Sequence, residues 1–168
     1  IEPLDLEKIH IMVEDATEGL AGVSASQVEI QSGIQFYDGI TTAEIQEILI
    51  KSASDLIDLE HPNYQFVAAR LLLFSIRKSL YGRSRELPKL EDHIVKCVTQ
   101  EVYDGDIYSK YSKEDIEKAN GYIDHNRDFL FTYAGLRQVA DKYLVQDRST
   151  GQVYETPQFM YMMIALTI

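Results

Sequence analysis

The stretch that most constrains the fold is Pro62–Gly82, PNYQFVAARLLLFSIRKSLYG, whose centre is apolar nearly all round. A helix with apolar residues on every side has to be covered by other elements. The segment therefore predicts a multi-helix domain with this helix buried at its centre. Proline is tolerated in a first helical turn, so Pro62 is read as opening the helix, and Gly82 as ending it.

The partners of that helix are legible upstream. Leu6, Ile9, Val13 and Ala16 recur at helical spacing, and Gly19 follows as a stop. A second helix is expected from Ser24 or Ser26 through Val28, Ile30 and Ile34. The third carries the apolar stripe Ile45, Ile48, Leu49, Ala53 and Leu56. It is preceded by QFYDGITTAE, in which Gly39 suits a tight turn and Thr41 with Glu44 has the spacing of a capping box. That start reads as punctuation. A helix start also gathers unpaired N–H groups and partial positive charge, so the same stretch is a candidate anion site.

Past Gly82, RSRELPKL reads as a linker, and a domain boundary is placed there. Helices are expected at about 90–101, 113–122 and 134–143, with a last one from Pro157. Between them, LVQDRSTGQVYE has two short β-prone runs around Ser149-Thr150-Gly151 and predicts a hairpin with Gly151 in the left-handed region.

Charge and cysteine content narrow the function. A net charge of −11 argues against a nucleic-acid footprint or attraction to an anionic membrane. The longest apolar run, FMYMMIALTI, is well short of the roughly 20 residues a membrane helix needs. A single cysteine, Cys97, excludes a disulfide framework and multi-cysteine zinc sites, and makes a reducing, cytoplasmic setting the default. The chain starts without Met at IEPLD and stops at Thr167-Ile168 inside an apolar helix, so it reads as a piece of a longer polypeptide.

Few residues designate chemistry. A Walker loop, G-x-G-x-x-G, H-E-x-x-H and an EF-hand loop are absent, and no metal site or catalytic residue is assigned. DHNRD, with Asp124, His125 and Asp128, reads as a hydrogen-bonded polar turn, and Cys97 as a small packing residue. The informative feature is basic: Arg70, Arg77, Lys78, Arg83, Arg85 and Lys89 stand against one acid, Glu86. Compensation of the fourth helix's C-terminal dipole accounts for such a run. The alternative is an anion site shared with the start of the third helix, with Lys8 as a further cation.

Taken in order, LDLEKIH, EGLAGVSASQVEIQSGIQFYDGITTAEIQE, NYQFVAARLLLFSIRKSLYG and YIDHNRDFLFTYAGLRQVADKYLVQDRSTGQVYETPQFMYM closely resemble the N-terminal part of the class I ribonucleotide reductase large (α) subunit. The resemblance runs through essentially the whole chain. It implies a mostly α-helical α+β fragment: a truncated ATP-cone over 1–82, then a helical connector and β-hairpin over 83–168 leading into the reductase α/β barrel. It further implies an overall-activity site for ATP or dATP, with Mg2+ accompanying the nucleotide. The residues carried over to that site are Glu2, Pro3, Leu4, Asp5, Leu6, Glu7 and Lys8 as the nucleotide-binding run, Ile9 and Ile45 flanking the base, Thr42 at the helix start and Lys78 on phosphate. Implied partners are the small radical-generating (β) subunit, other large subunits and the rest of the large subunit.

Three departures from the family pattern stand out. Asp5 replaces a common Asn, Asp15 a common aromatic, and Gln46 a frequent His. The glycine-turn hairpin that precedes IEPLD in the family is not in this sequence. The family's radical and redox cysteines lie further along, and Cys97 matches none of them. These departures keep a second reading open, a degenerate cone that serves only as a subunit-interaction module. A transcription regulator that borrowed a cone would need a zinc ribbon or a basic surface, which this acidic, single-cysteine chain lacks.

Overall fold

The computed structural model describes residues 5–37 and 39–168. Its elements are α1 (Leu6–Thr17), α2 (Ala25–Gly33), α3 (Thr42–Asp55), α4 (Tyr64–Tyr81), α5 (Leu90–Thr99), α6 (Ile107–Lys110), α7 (Lys113–Asn120), a 3-10 helix (His125–Leu130), α8 (Tyr133–Lys142) and α9 (Pro157–Thr167). The chain divides into two compact units. The first runs to Ser75 and takes in Phe129–Arg137; the second comprises Ile76–Asp128 and Gln138–Ile168.

In the first unit α1 packs on α2 and α2 on α3. Ile9, Val13 and Ala16 from α1, Val28 from α2, and Leu49, Ile50 and Ala53 from α3 are buried with Tyr64, Val67, Ala68 and Leu71 of α4. Each large aliphatic side chain withdrawn from water contributes about 1.5–3 kcal/mol. Polar contacts from α4 then fasten the link between α1 and α2. Asn63 Nδ2 donates to the Ala21 carbonyl (2.8 Å), and Arg70 Nη1 to those of Ala16 (3.2 Å) and Glu18 (2.7 Å). The buried Tyr64 hydroxyl donates to Gln27 Oε1 and accepts the Ser24 N–H at 3.0 Å, which replaces the side-chain cap α2 lacks.

The second unit has its own core of Leu90, Ile94, Ile107, Ile116, Ala119, Phe159 and Met163. A buried polar cluster runs through it. His93 stacks on Phe159 at 4.2 Å between centroids and lies 3.2 Å from the Tyr81 hydroxyl and 3.1 Å from that of Tyr103. The Tyr103 hydroxyl in turn donates to the Glu155 carboxylate.

Several expectations need correction. Pro62 does not open α4; it forms a turn two residues earlier, where Gln65 N–H donates to its carbonyl at 3.2 Å. Ile30 and Ile34 do not face a core: they are 68% and 82% exposed, because α2 turns the Val28 and Ser32 side inward. Among the described residues there is no strand, so the hairpin is reduced to one antiparallel bridge, Gln146 to Val153. Gly151 does take φ +74° at the turn. Tyr154 N–H donates to the Val145 carbonyl, but the return bond that would extend the ladder is missing. Val145 N–H is drawn instead to Glu155 Oε1 at 2.8 Å. The start of a barrel is not present as β-structure among these residues either.

Candidate functional site

The start of α3 is built from local sequence. Thr41 is the N-cap and accepts the Glu44 N–H at 3.2 Å, while Glu44 Oε2 accepts from the Thr41 N–H at 2.8 Å. Tyr37 adds its hydroxyl to Glu44 Oε1 at 2.8 Å, three residues before the turn at Gly39 is complete. Thr41's hydroxyl, its backbone N–H and Tyr37 hold the Glu44 carboxyl below its ordinary value. This leaves Thr42, exposed in the first turn, with its N–H and that of Ala43 unpaired among the described residues.

One turn along α3 stands Gln46, buried in a helix face otherwise lined by Ile45 and Leu49. Its Oε1 accepts the Ser75 hydroxyl at 3.0 Å, and its Nε2 has no partner. A buried amide donor left unpaired costs about 1–3 kcal/mol. Nothing in the pattern of α3 singled out this residue beyond its departure from the family's usual His. The signal is a polar side chain set inside an apolar stripe, four residues past Thr42.

At the start of α1, Asp5 is the N-cap. Its Oδ1 accepts the N–H groups of Glu7 (3.1 Å) and Lys8 (3.2 Å), and its Oδ2 lies 3.4 Å from Lys8 Nζ. The Lys8 N–H, foremost among these, holds the Asp5 carboxyl below its ordinary value. The Asn-to-Asp departure thus has a local role: the carboxylate neutralises the helix start and engages the nearest lysine. Asp5, Glu7 and Lys8 are brought together here. Leu6 is 65% exposed, whereas Ile9 is in the core and Ile45 is half-buried. Glu2, Pro3 and Leu4 lie outside the described residues.

The basic stretch is largely absorbed by packing. Arg70 holds carbonyls of the first unit and lies over the Phe129 ring at 5.7 Å. Arg77 pairs with Asp128, Arg83 with Glu86 at 3.7 Å, and Lys89 with Glu117 at 3.2 Å. Lys78, in the last turn of α4, is exposed and makes no ion pair among the described residues.

The remaining chemical candidates are structural. His125 and Asp128 of DHNRD lie in a 3-10 helix, where Arg77 Nη2 donates to the His125 carbonyl at 2.7 Å. Among the described residues no three His, Cys, Asp or Glu side chains group to hold a metal. Burial pushes the Cys97 thiol up to about 11, so it stays protonated at neutral pH. No helix among the described residues is long and apolar enough to cross a membrane.

Comparison with known proteins agrees with these placements. Residues 1–79 match the ATP cone domain and residues 129–168 the ribonucleotide reductase all-alpha domain. The chain is 48% identical over 164 residues to ribonucleoside-diphosphate reductase 1 subunit alpha of Escherichia coli (strain K12), covering 98% of this chain and 21% of the relative. It is 46% identical over 167 residues to the subunit alpha of Haemophilus influenzae, covering 99% of this chain and 22% of the relative. The subunit alpha of Enterobacteria phage T4 is 44% identical over 169 residues, with 99% and 22% covered. The chain therefore spans about a fifth of the length of these relatives. With two domain models matched in series and nearly half its residues identical from end to end, the chain belongs to the ribonucleotide reductase large-subunit family.

Proposed function

We propose that residues 1–82 bind ATP or dATP, with Mg2+ on the phosphates, and set the overall activity of a ribonucleoside-diphosphate reductase large subunit. The observation that carries this reading is the ATP cone match over 1–79, which encloses a helix start with unpaired N–H groups at Thr42 and the exposed ammonium of Lys8. Unpaired N–H groups and a cation on a flexible stem suit a triphosphate. Lys78, exposed and without an ion pair among the described residues, is proposed as a phosphate ligand by resemblance. Glu2, Pro3, Leu4, Asp5, Leu6, Glu7, Ile9 and Ile45 complete the proposed set.

The reduction of ribonucleoside diphosphates belongs to the whole subunit, with its cysteines in the barrel that resemblance places after residue 168. Regulation then requires that ATP and dATP bind one assembly better than another. The proposed partners are the small radical-generating subunit and further large subunits. The exposed pair Ile30 and Ile34, one turn apart on α2, supplies apolar surface for such a contact.

A second reading, an interaction module without nucleotide, is favoured by Asp5. A phosphate approaching Lys8 must compete with a carboxylate already 3.4 Å from its ammonium. Calorimetric titration of ATP and dATP into the full-length subunit, with dTTP filling the specificity site beforehand, separates the two. Micromolar binding that is lost in Lys78→Ala supports the regulatory site. Absence of a second class of site in the wild type selects the interaction module.

A further inference from the structure

We propose that Gln46 reads the nucleoside end of the effector, donating from its buried side-chain amide to an uncharged acceptor. The inference rests on the nucleotide-binding reading above. Helical side chains lean back toward the N-terminus, so a residue covers the turn before its own Cα. Gln46 therefore lies over the turn that begins with Thr42, where N–H groups are already free. Its side chain is only 9% exposed. The Ser75 hydroxyl, donating to Oε1 at 3.0 Å, fixes which end of the amide is which. Oε1 is engaged by α4, and Nε2 is left as a donor with nothing to bond.

The chemistry of that position limits what fills it. A phosphate drawn into a site this buried would shed its water with no cation beside it. The triphosphate belongs with the exposed Lys8, where a cation and solvent are both at hand. A sugar hydroxyl or a base ring nitrogen accepts from a neutral amide without that penalty. The Ser75 contact also makes Gln46 a one-way reader: its oxygen is occupied, so it offers a donor and no acceptor.

The test titrates ATP, dATP and inorganic tripolyphosphate into the full-length subunit, comparing wild type with Gln46→Leu, Gln46→Met and Ser75→Ala. Melting temperatures identify which variants are folded, and Met keeps the volume if Leu does not fit. Loss of Nε2 should weaken ATP by about 3- to 10-fold and leave tripolyphosphate unchanged. Ser75→Ala, which unpins the amide, should weaken ATP by a smaller factor. A loss confined to ATP identifies the acceptor as the 2′-hydroxyl, and an equal loss for dATP identifies the base or another sugar oxygen. Unchanged ATP affinity in folded Gln46 variants would overturn the inference and leave the site standing. Parallel losses for ATP and tripolyphosphate would overturn it by placing the amide on phosphate. No ATP binding in the wild type would instead bring down the nucleotide reading itself, and the inference with it.

Discussion

Arg77 Nη2 lies 3.2 Å from Asp128 Oδ2, with 5% and 0% of the two side chains exposed. Gln158 Nε2 donates to the other carboxylate oxygen at 3.2 Å, and Arg77 also holds the His125 carbonyl. Burial pushes the Asp128 carboxyl up and the Arg77 guanidinium down, while each partner's charge opposes the other's shift. Removing one partner leaves a buried charge uncompensated. Arg77→Met or Asp128→Asn should therefore destabilise the protein by about 3–5 kcal/mol, and the double replacement by less than their sum. Urea denaturation of the two single variants and the double closes the cycle. Additive losses would mean the pair is not coupled.

The cap of α3 is a smaller and wholly local effect. Thr41→Ala removes the acceptor of the Glu44 N–H and should cost about 1 kcal/mol, whereas Thr41→Ser should be nearly neutral. Chemical denaturation midpoints at constant m-value are the measurement. Because Thr42 and not Thr41 is the proposed ligand contact, Thr41→Ser should leave ATP affinity intact.

His93 makes stability depend on pH. Its desolvation, helped by the charge of Lys96, lowers its folded pKa from near 6.5 to about 4. The unfolded chain therefore binds a proton more readily, and the contribution of neutral His93 is complete above pH 6.5. It is lost as pH falls from about 6.5 to about 4. Protonation would also put a charge against Phe159, on whose ring His93 stacks. His93→Gln should lower stability at neutral pH, since glutamine cannot stack as imidazole does. It should also flatten the slope of stability against pH in this window. Equal slopes in wild type and variant would show that His93 is not the titrating group. His125 also faces Phe159, is likewise lowered to about 4, and remains in both proteins as a common background.

Ile34 tests the proposed partner surface. At 82% exposure, Ile34→Asp should change folding stability by less than about 0.5 kcal/mol. If α2 meets another subunit, the same substitution should weaken assembly in sedimentation velocity runs with effector present. Unaltered sedimentation would remove this face from the assembly.

Local order could be read residue by residue because its causes lie within four positions of one another. The capping box at Thr41 and Glu44, the left-handed stop at Gly19 (φ +71°) and the end of α4 at Gly82 (φ +72°) are of this kind. So is the burial of α4, since no side of it is polar enough to face water. The family resemblance belongs with these, because it rests on ordered strings of residues.

What depends on distant partners was not legible. Ile30 and Ile34 have the spacing of a buried stripe, yet the packing of α1 and α3 against α2 takes Val28 and Ser32 instead. The hairpin ended at one bridge because Glu155 competes for the Val145 N–H. Arg77, one cation in a basic run, is distinguished from Lys78 only by the arrival of Asp128 from fifty-one positions along the chain. The amino-acid sequence by itself determined where helices begin and end and which helix lies at a centre, since caps and periodicity act over one turn. Only tertiary structure decided which polar side chains are paired, buried or left wanting, as with Gln46, because desolvation is set by whatever the rest of the chain brings against them.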